Sequence, residues 1–62
     1  MKKATEMSRD ELIEAARQME VLGGSFAYGI ARAFFAADGA NMKKLVKAFP
    51  ELFEKFHHED KE

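Results

Sequence analysis

Apolar residues recur at three- and four-residue spacing along most of this 62-residue chain, and that rhythm predicts helices. Leu12, Ala16, Met19 and Leu22, with Ile13 and Ala15 beside them, make one apolar face, while Glu11, Glu14, Arg17, Gln18 and Glu20 cover the rest. Ser8 and Glu11 precede this run at the spacing of a capping box, in which each side chain satisfies the other residue's backbone N–H. Asp10 and Glu11 also suit the positive end of a helix dipole. The first helix is therefore expected over 8–22, with Gly23 as the left-handed residue after its last turn.

The second helix, expected over 24–38, has a different pattern. From Phe26 to Ala37 the sole charged residue is Arg32. Phe26, Ile30, Phe34 and Ala37 share one face, Tyr28, Ala31 and Phe35 share another, and Gly29, Ala33 and Ala36 form a stripe of small residues. Ser25 is the expected N-cap and Gly39 the expected stop. Asn41 is the expected N-cap of a third helix over 41–49. Pro50 disfavours helical geometry at Phe49 but suits a first helical position, so it should bend the chain and start a short fourth helix over 50–57. Leu45, Phe49, Leu52, Phe53 and Phe56 then line one side across the bend. The polar end, 58–62, is expected to fray. With no alternating strand pattern and no repeat, the fold class is all-α: a single helical domain over 1–62, with three to four helices around a central apolar one.

Length changes the picture. A chain this short buries only about 60% of its unfolded surface, and a lone core of its size supplies roughly 3–5 kcal/mol. There is no cysteine, so neither a disulfide nor a thiolate zinc site can brace it. A helix apolar all round is buried all round. Helix one and helices three and four cover about two sides of helix two, and a second copy is left to cover the third. The expectation is a homo-oligomer, at least a dimer built through helix two, with two-fold symmetry as its simplest form. The alternative is a monomeric bundle with helix two as its centre.

Net charge is −1 but unevenly spread. Residues 23–49 carry Arg32, Lys43, Lys44 and Lys47 against Asp38, a local +3, and residues 50–62 carry Lys55 and Lys61 against five acidic residues, a local −3. A basic middle and an acidic end can meet within one chain or between two. No apolar run follows the Met1-Lys2-Lys3 start, and the 26–37 run is too short for a membrane span, so a cytoplasmic protein without a membrane partner is expected.

Candidate chemistry centres on anion binding. Gly23-Gly24-Ser25 at a helix start offers free N–H groups, close backbone approach and a hydroxyl, which suits phosphate. The same tripeptide also serves as an ordinary helix–helix turn. Arg32 is the first choice for anion contact, since its fork of donors holds phosphate or carboxylate; Asp38, Glu51 or Glu54 would be its structural partner instead. Lys43 and Lys47, one turn apart, add positive charge or form a plain solvated face. Phe26 or Tyr28 can stack on a base or simply pack. The candidate ligand site is Gly24, Ser25, Phe26, Tyr28, Arg32, Lys43 and Lys47. His57-His58 with Glu59 and Asp60 offers metal-binding atoms, but helical neighbours point apart and no metal site is expected. Glu11/Glu14 and Glu51/Glu54 read as carboxylates on wet faces, and no nucleophile stands paired with a base. Neither an enzyme nor a cofactor is expected. Nucleic acid is not an expected partner, because net charge −1 and three clustered lysines argue against a DNA-binding helix three.

The segment Leu22–Phe56 resembles a group of short proteins of tailed bacteriophages and prophages. The shared elements are Leu22-Gly23-Gly24-Ser25-Phe26, Ala37-Asp38 with Asn41, and Ala48-Phe49-Pro50-Glu51-Leu52-Phe53. None of these motifs is catalytic. By analogy of class, small oligomeric phage proteins that sequester nucleotide second messengers suggest one role: inhibition of anti-phage defence, in the host bacterial cytoplasm, without turnover of the ligand. The rival role is a protein-interaction module that binds a host or virion protein through the apolar face of helix two or through Leu52, Phe53 and Phe56.

Overall fold

The computed structural model describes residues 2–57, and among them there is helix and no strand. A 3-10 turn at Ala4–Glu6 precedes α1 (Arg9–Leu22), α2 (Gly24–Ala36), α3 (Gly39–Ala48) and α4 (Pro50–Lys55). The helices fall where the apolar rhythm places them, with several ends displaced. The end 58–62, expected to fray, lies outside the described residues.

α1 opens with the expected capping box. Ser8 Oγ accepts from the Glu11 N–H at 3.2 Å, and the Ser8 N–H donates to Glu11 Oε1 at 2.7 Å. The turn into α2 differs from expectation. Gly23 stays right-handed, and Gly24 takes the positive φ of 75°. Gly23 is needed for space: a Cβ there would sit 2.5 Å from Ala27 Cβ and 2.6 Å from the Met19 carbonyl oxygen. Ser25 does not cap α2, which starts one residue earlier, at Gly24, with no side-chain cap. Nor does Gly39 stop it. Extended backbone at Ala37 and Asp38 ends α2, and Gly39 is already the first residue of α3. The cap of α3 is Asp38, not Asn41: Asp38 Oδ1 accepts from the Asn41 N–H at 2.9 Å. A carboxylate three residues upstream claims that N–H first. Pro50 takes the first position of α4 as expected, after a non-helical Phe49.

The core is built on alanines. Ala15, Ala16 and Met19 of α1 pack with Ala27, Ala31 and Phe34 of α2, and Val46 and Phe53 close the far side. Small side chains let α1 and α2 approach closely, and Phe34 fills the space beyond them, its ring 5.2 Å from that of Phe53. Leu12, Ile13, Met42, Leu45, Leu52 and Phe56 pack around this cluster.

The segment before α1, for which the apolar pattern gives no element, is part of the core. Ala4 and Met7 are buried, and the Ala4 N–H donates to Glu54 Oε2 at 2.8 Å. Glu11 and Glu54 therefore depart from the expectation of freely solvated carboxylates. Lys2 Nζ lies 2.9 Å and His57 Nε2 3.8 Å from Glu11 Oε2. The hydrogen bond from Lys2, then the Ser8 amide and the nearby charges, hold the Glu11 carboxyl below its ordinary range against a smaller opposing effect of burial. No helix among the described residues is long and apolar enough to cross a membrane.

Candidate functional site

α2 turns Ala27, Ala31 and Phe34 inward, with Ile30 beside them at half burial. At about 100° per residue, Ser25, Gly29, Arg32 and Ala36 then point the opposite way. Aromatic residues flank this outer strip on both sides. Phe26 is 62% exposed, with its ring edge-on to Phe49 at 5.7 Å; Tyr28 and Phe35 are 48% and 38% exposed on the other shoulder. Val21 and Leu22, at the adjoining end of α1, are 77% and 63% exposed. On a small protein, exposed apolar side chains of this size are candidates for an interaction surface. A Cβ added at Gly29 would meet nothing within 4 Å, so nothing inside the chain requires glycine in the middle of this helix.

Arg32 sits on the outer strip and is exposed, not buried as its apolar helix suggested. Its Nη1 lies 3.6 Å from Glu20 Oε2 on α1, a partner not among the three carboxylates expected. The tight turn at Gly23-Gly24 folds α2 back against α1, and the long Arg32 side chain reaches across to Glu20. The glycines of the Gly-Gly-Ser element also have structural reasons, the close approach at Gly23 and the positive φ at Gly24.

Lys43 and Lys47 lie elsewhere, on a groove of about 450 Å³ between the 3-10 turn, the start of α1 and α3. Its walls include Met7, Leu12, Phe34, Met42 and Val46, and Arg9 joins the two lysines as the third cation of its lining. Among the described residues no carboxylate lines it, and none of the three cations has an ion pair. The seven candidate ligand residues therefore do not line one cavity within a single chain: Lys43 and Lys47 line this groove, whereas Gly24, Ser25, Phe26, Tyr28 and Arg32 belong to the start and outer side of α2. Sequence reasoning missed Arg9. The available signal was a cation in the first turn of a helix, where the dipole disfavours it.

His57 pairs with Glu11, and its Nδ1 is buried with no hydrogen-bond partner. His58, Glu59 and Asp60, the other atoms weighed as metal ligands, lie outside the described residues.

The described residues thus form a small all-helical fold with exposed aromatic side chains on both shoulders of α2 and a cation-lined groove beside α3. No protein-family model, curated protein or solved structure matches the chain.

Proposed function

We propose that this chain is a binding protein rather than an enzyme, and that it works as a homo-oligomer, most simply a two-fold dimer closed through the outer side of α2. The observation that carries this reading is the exposure of Phe26, Tyr28 and Phe35 around a strip of small residues. Such a surface is self-complementary: aromatic shoulders of one copy fill the hollow over Ser25, Gly29 and Ala36 of the other, and two-fold symmetry repeats the contact. Removing these rings from water supplies the stabilisation that a lone short chain lacks. The assembled protein then presents paired copies of its remaining surface, including Leu52 and Phe56, to a host or virion protein.

Light scattering coupled to size exclusion tests this directly. At micromolar concentration the expected mass is at least twice 7.0 kDa. Phe26→Asp with Phe35→Asp should return the protein to a monomer whose helical circular dichroism is unchanged. A wild-type monomer at that concentration overturns the reading.

A second reading, sequestration of a nucleotide immune signal by a phage-encoded oligomer, draws support from Lys43 and Lys47 on a groove whose volume falls within the range of small-molecule pockets. Here Arg32, Gly24, Ser25 and the Phe26 or Tyr28 ring would complete the site from a neighbouring copy. Stabilisation by one member of a panel of cyclic and linear nucleotides, lost in Arg32→Ala with assembly intact, is the expected result. Dissociation of the oligomer by Arg32→Ala would instead make the Arg32–Glu20 pair structural.

A further inference from the structure

The groove beside α3 combines two properties that are independent of self-assembly. One face of α3 forms a wall, with Gly39, Met42, Lys43, Val46 and Lys47 following each other at helical spacing over about 12 Å. Along this wall, Met42 and Val46 join Met7, Leu12 and Phe34 as apolar lining, and Lys43 and Lys47 sit one turn apart beside them. Arg9 adds a third cation from α1. The charge is one-sided, since no acidic residue among the described residues lines the groove. At the Gly39 end the wall is open, because a Cβ there would meet nothing within 4 Å.

We infer that this groove is a binding site for a small single-chain amphipathic anion, with an alkyl chain along Met7, Leu12, Met42 and Val46 and a carboxylate or phosphate head held by Arg9, Lys43 and Lys47. Two features select this class. Beyond the three cations, the side chains of the lining offer one hydroxyl, that of Thr5, and so cannot satisfy the several donors and acceptors on the edge of a nucleobase. An alkyl chain asks for no hydrogen bonds. Two methionines in the wall add a surface that reshapes around a flexible chain at little cost. The anionic head answers three cations that have no ion pair among the described residues: charge-assisted hydrogen bonds from guanidinium and ammonium groups are the strong kind.

The test is a titration of the ¹⁵N-labelled full chain with dodecanoate below its micelle concentration, followed by amide shifts. The expected result is saturable binding that moves the amides of Leu12, Met42 and Val46. Dodecanol and dodecyltrimethylammonium, which lack the anion, should bind at least about tenfold more weakly, a difference of about 1.4 kcal/mol. Lys43→Gln with Lys47→Gln, at exposed positions that leave the fold intact, should weaken dodecanoate by about the same factor. Equal binding of the neutral or cationic analogue overturns the inference, as does a shift pattern centred on Phe26, Tyr28 and Phe35. Shifts of the groove amides by ATP but not by dodecanoate also overturn it, and transfer the groove to the nucleotide reading. A monomer in the light-scattering experiment leaves this result unaffected, so the two proposals fail separately.

Discussion

The inner and outer sides of α2 are made of the same kinds of residue and lie in opposite surroundings. Inside are two alanines and Phe34; outside are Phe26, Tyr28 and Phe35 around Gly29, Arg32 and Ala36. Hydrophobicity does not separate them. Size and placement do: Ala27 and Ala31 share the buried cluster with Ala15 and Ala16 of α1, so small residues line the seam between the two helices. The outer rings have only edge contacts, Phe26 with Phe49 and Phe35 with Phe34, and stay exposed. An apolar helix thus records how much burial the protein has to arrange, while the positions of its smallest residues record which side its own chain covers.

Substitutions can break this contrast, beginning with the core. Phe34→Ala should cost about 3–5 kcal/mol, comparable to the whole stability of a domain this small, and largely unfold the protein in thermal circular dichroism. Phe26→Ala on the outer side removes one edge-on ring contact and should cost the isolated chain only about 1 kcal/mol. Equal losses at the two positions would erase the distinction between the sides.

Gly23→Ala ranks next. The added methyl meets Ala27 Cβ and a backbone carbonyl, neither of which can swing away, so α1 and α2 must part. A loss of about 1–3 kcal/mol in urea unfolding is expected, as for other overpacked sites.

The capping box joins Ser8 and Glu11 at the start of α1 and separates folding from assembly. Ser8→Ala should lower stability by about 1 kcal/mol without changing oligomer mass. Acid should act in the same direction. Because the folded state holds the Glu11 carboxyl below its unfolded value, its contribution is complete above the ordinary carboxylate range. It is lost as pH falls through the lowered value. A pH titration of unfolding midpoints checks the sign, and Glu11→Gln should flatten that acid limb.

The smallest effect is the most discriminating. Gly29→Ala adds a methyl to open space, so a chain that folds alone gains about 0.5–1 kcal/mol from the better helix former. In a dimer closed over Gly29 the same methyl intrudes on the partner. Stabilisation at low protein concentration that reverses at high concentration is the expected signature.

Local signals read well from this sequence. Ser8 with Glu11 fixed the start of α1, Pro50 the start of α4, and the apolar spacing the helices between. Errors arose where two local signals competed or where the deciding contact was distant. Asp38 and Asn41 are both good caps, and their order along the chain decided between them. Gly23 and Gly24 are both capable of a left-handed turn, and the proximity of Ala27 decided that. The burial of Ala4 and Met7 depends on Glu54, fifty residues away, and no periodicity reports such a bond. The candidate site was legible only in part for the same reason. Lys43 and Lys47 share a face by simple helical spacing, but Arg9 joins them only once the 3-10 turn that precedes α1 has folded against α3, and Glu20 reaches Arg32 only across the turn.

The side chains of Lys2 and His57 meet at the Glu11 carboxylate, so one residue gathers the segment before α1 and the segment after α4. A short flexible linker between them would close the backbone into a ring at small entropic loss. New termini cut at Ala37–Asp38 would then yield a circular permutant with every helix intact. Such a permutant offers a practical route to attaching a fluorophore or a surface tether beside Gly39, at the open end of the groove.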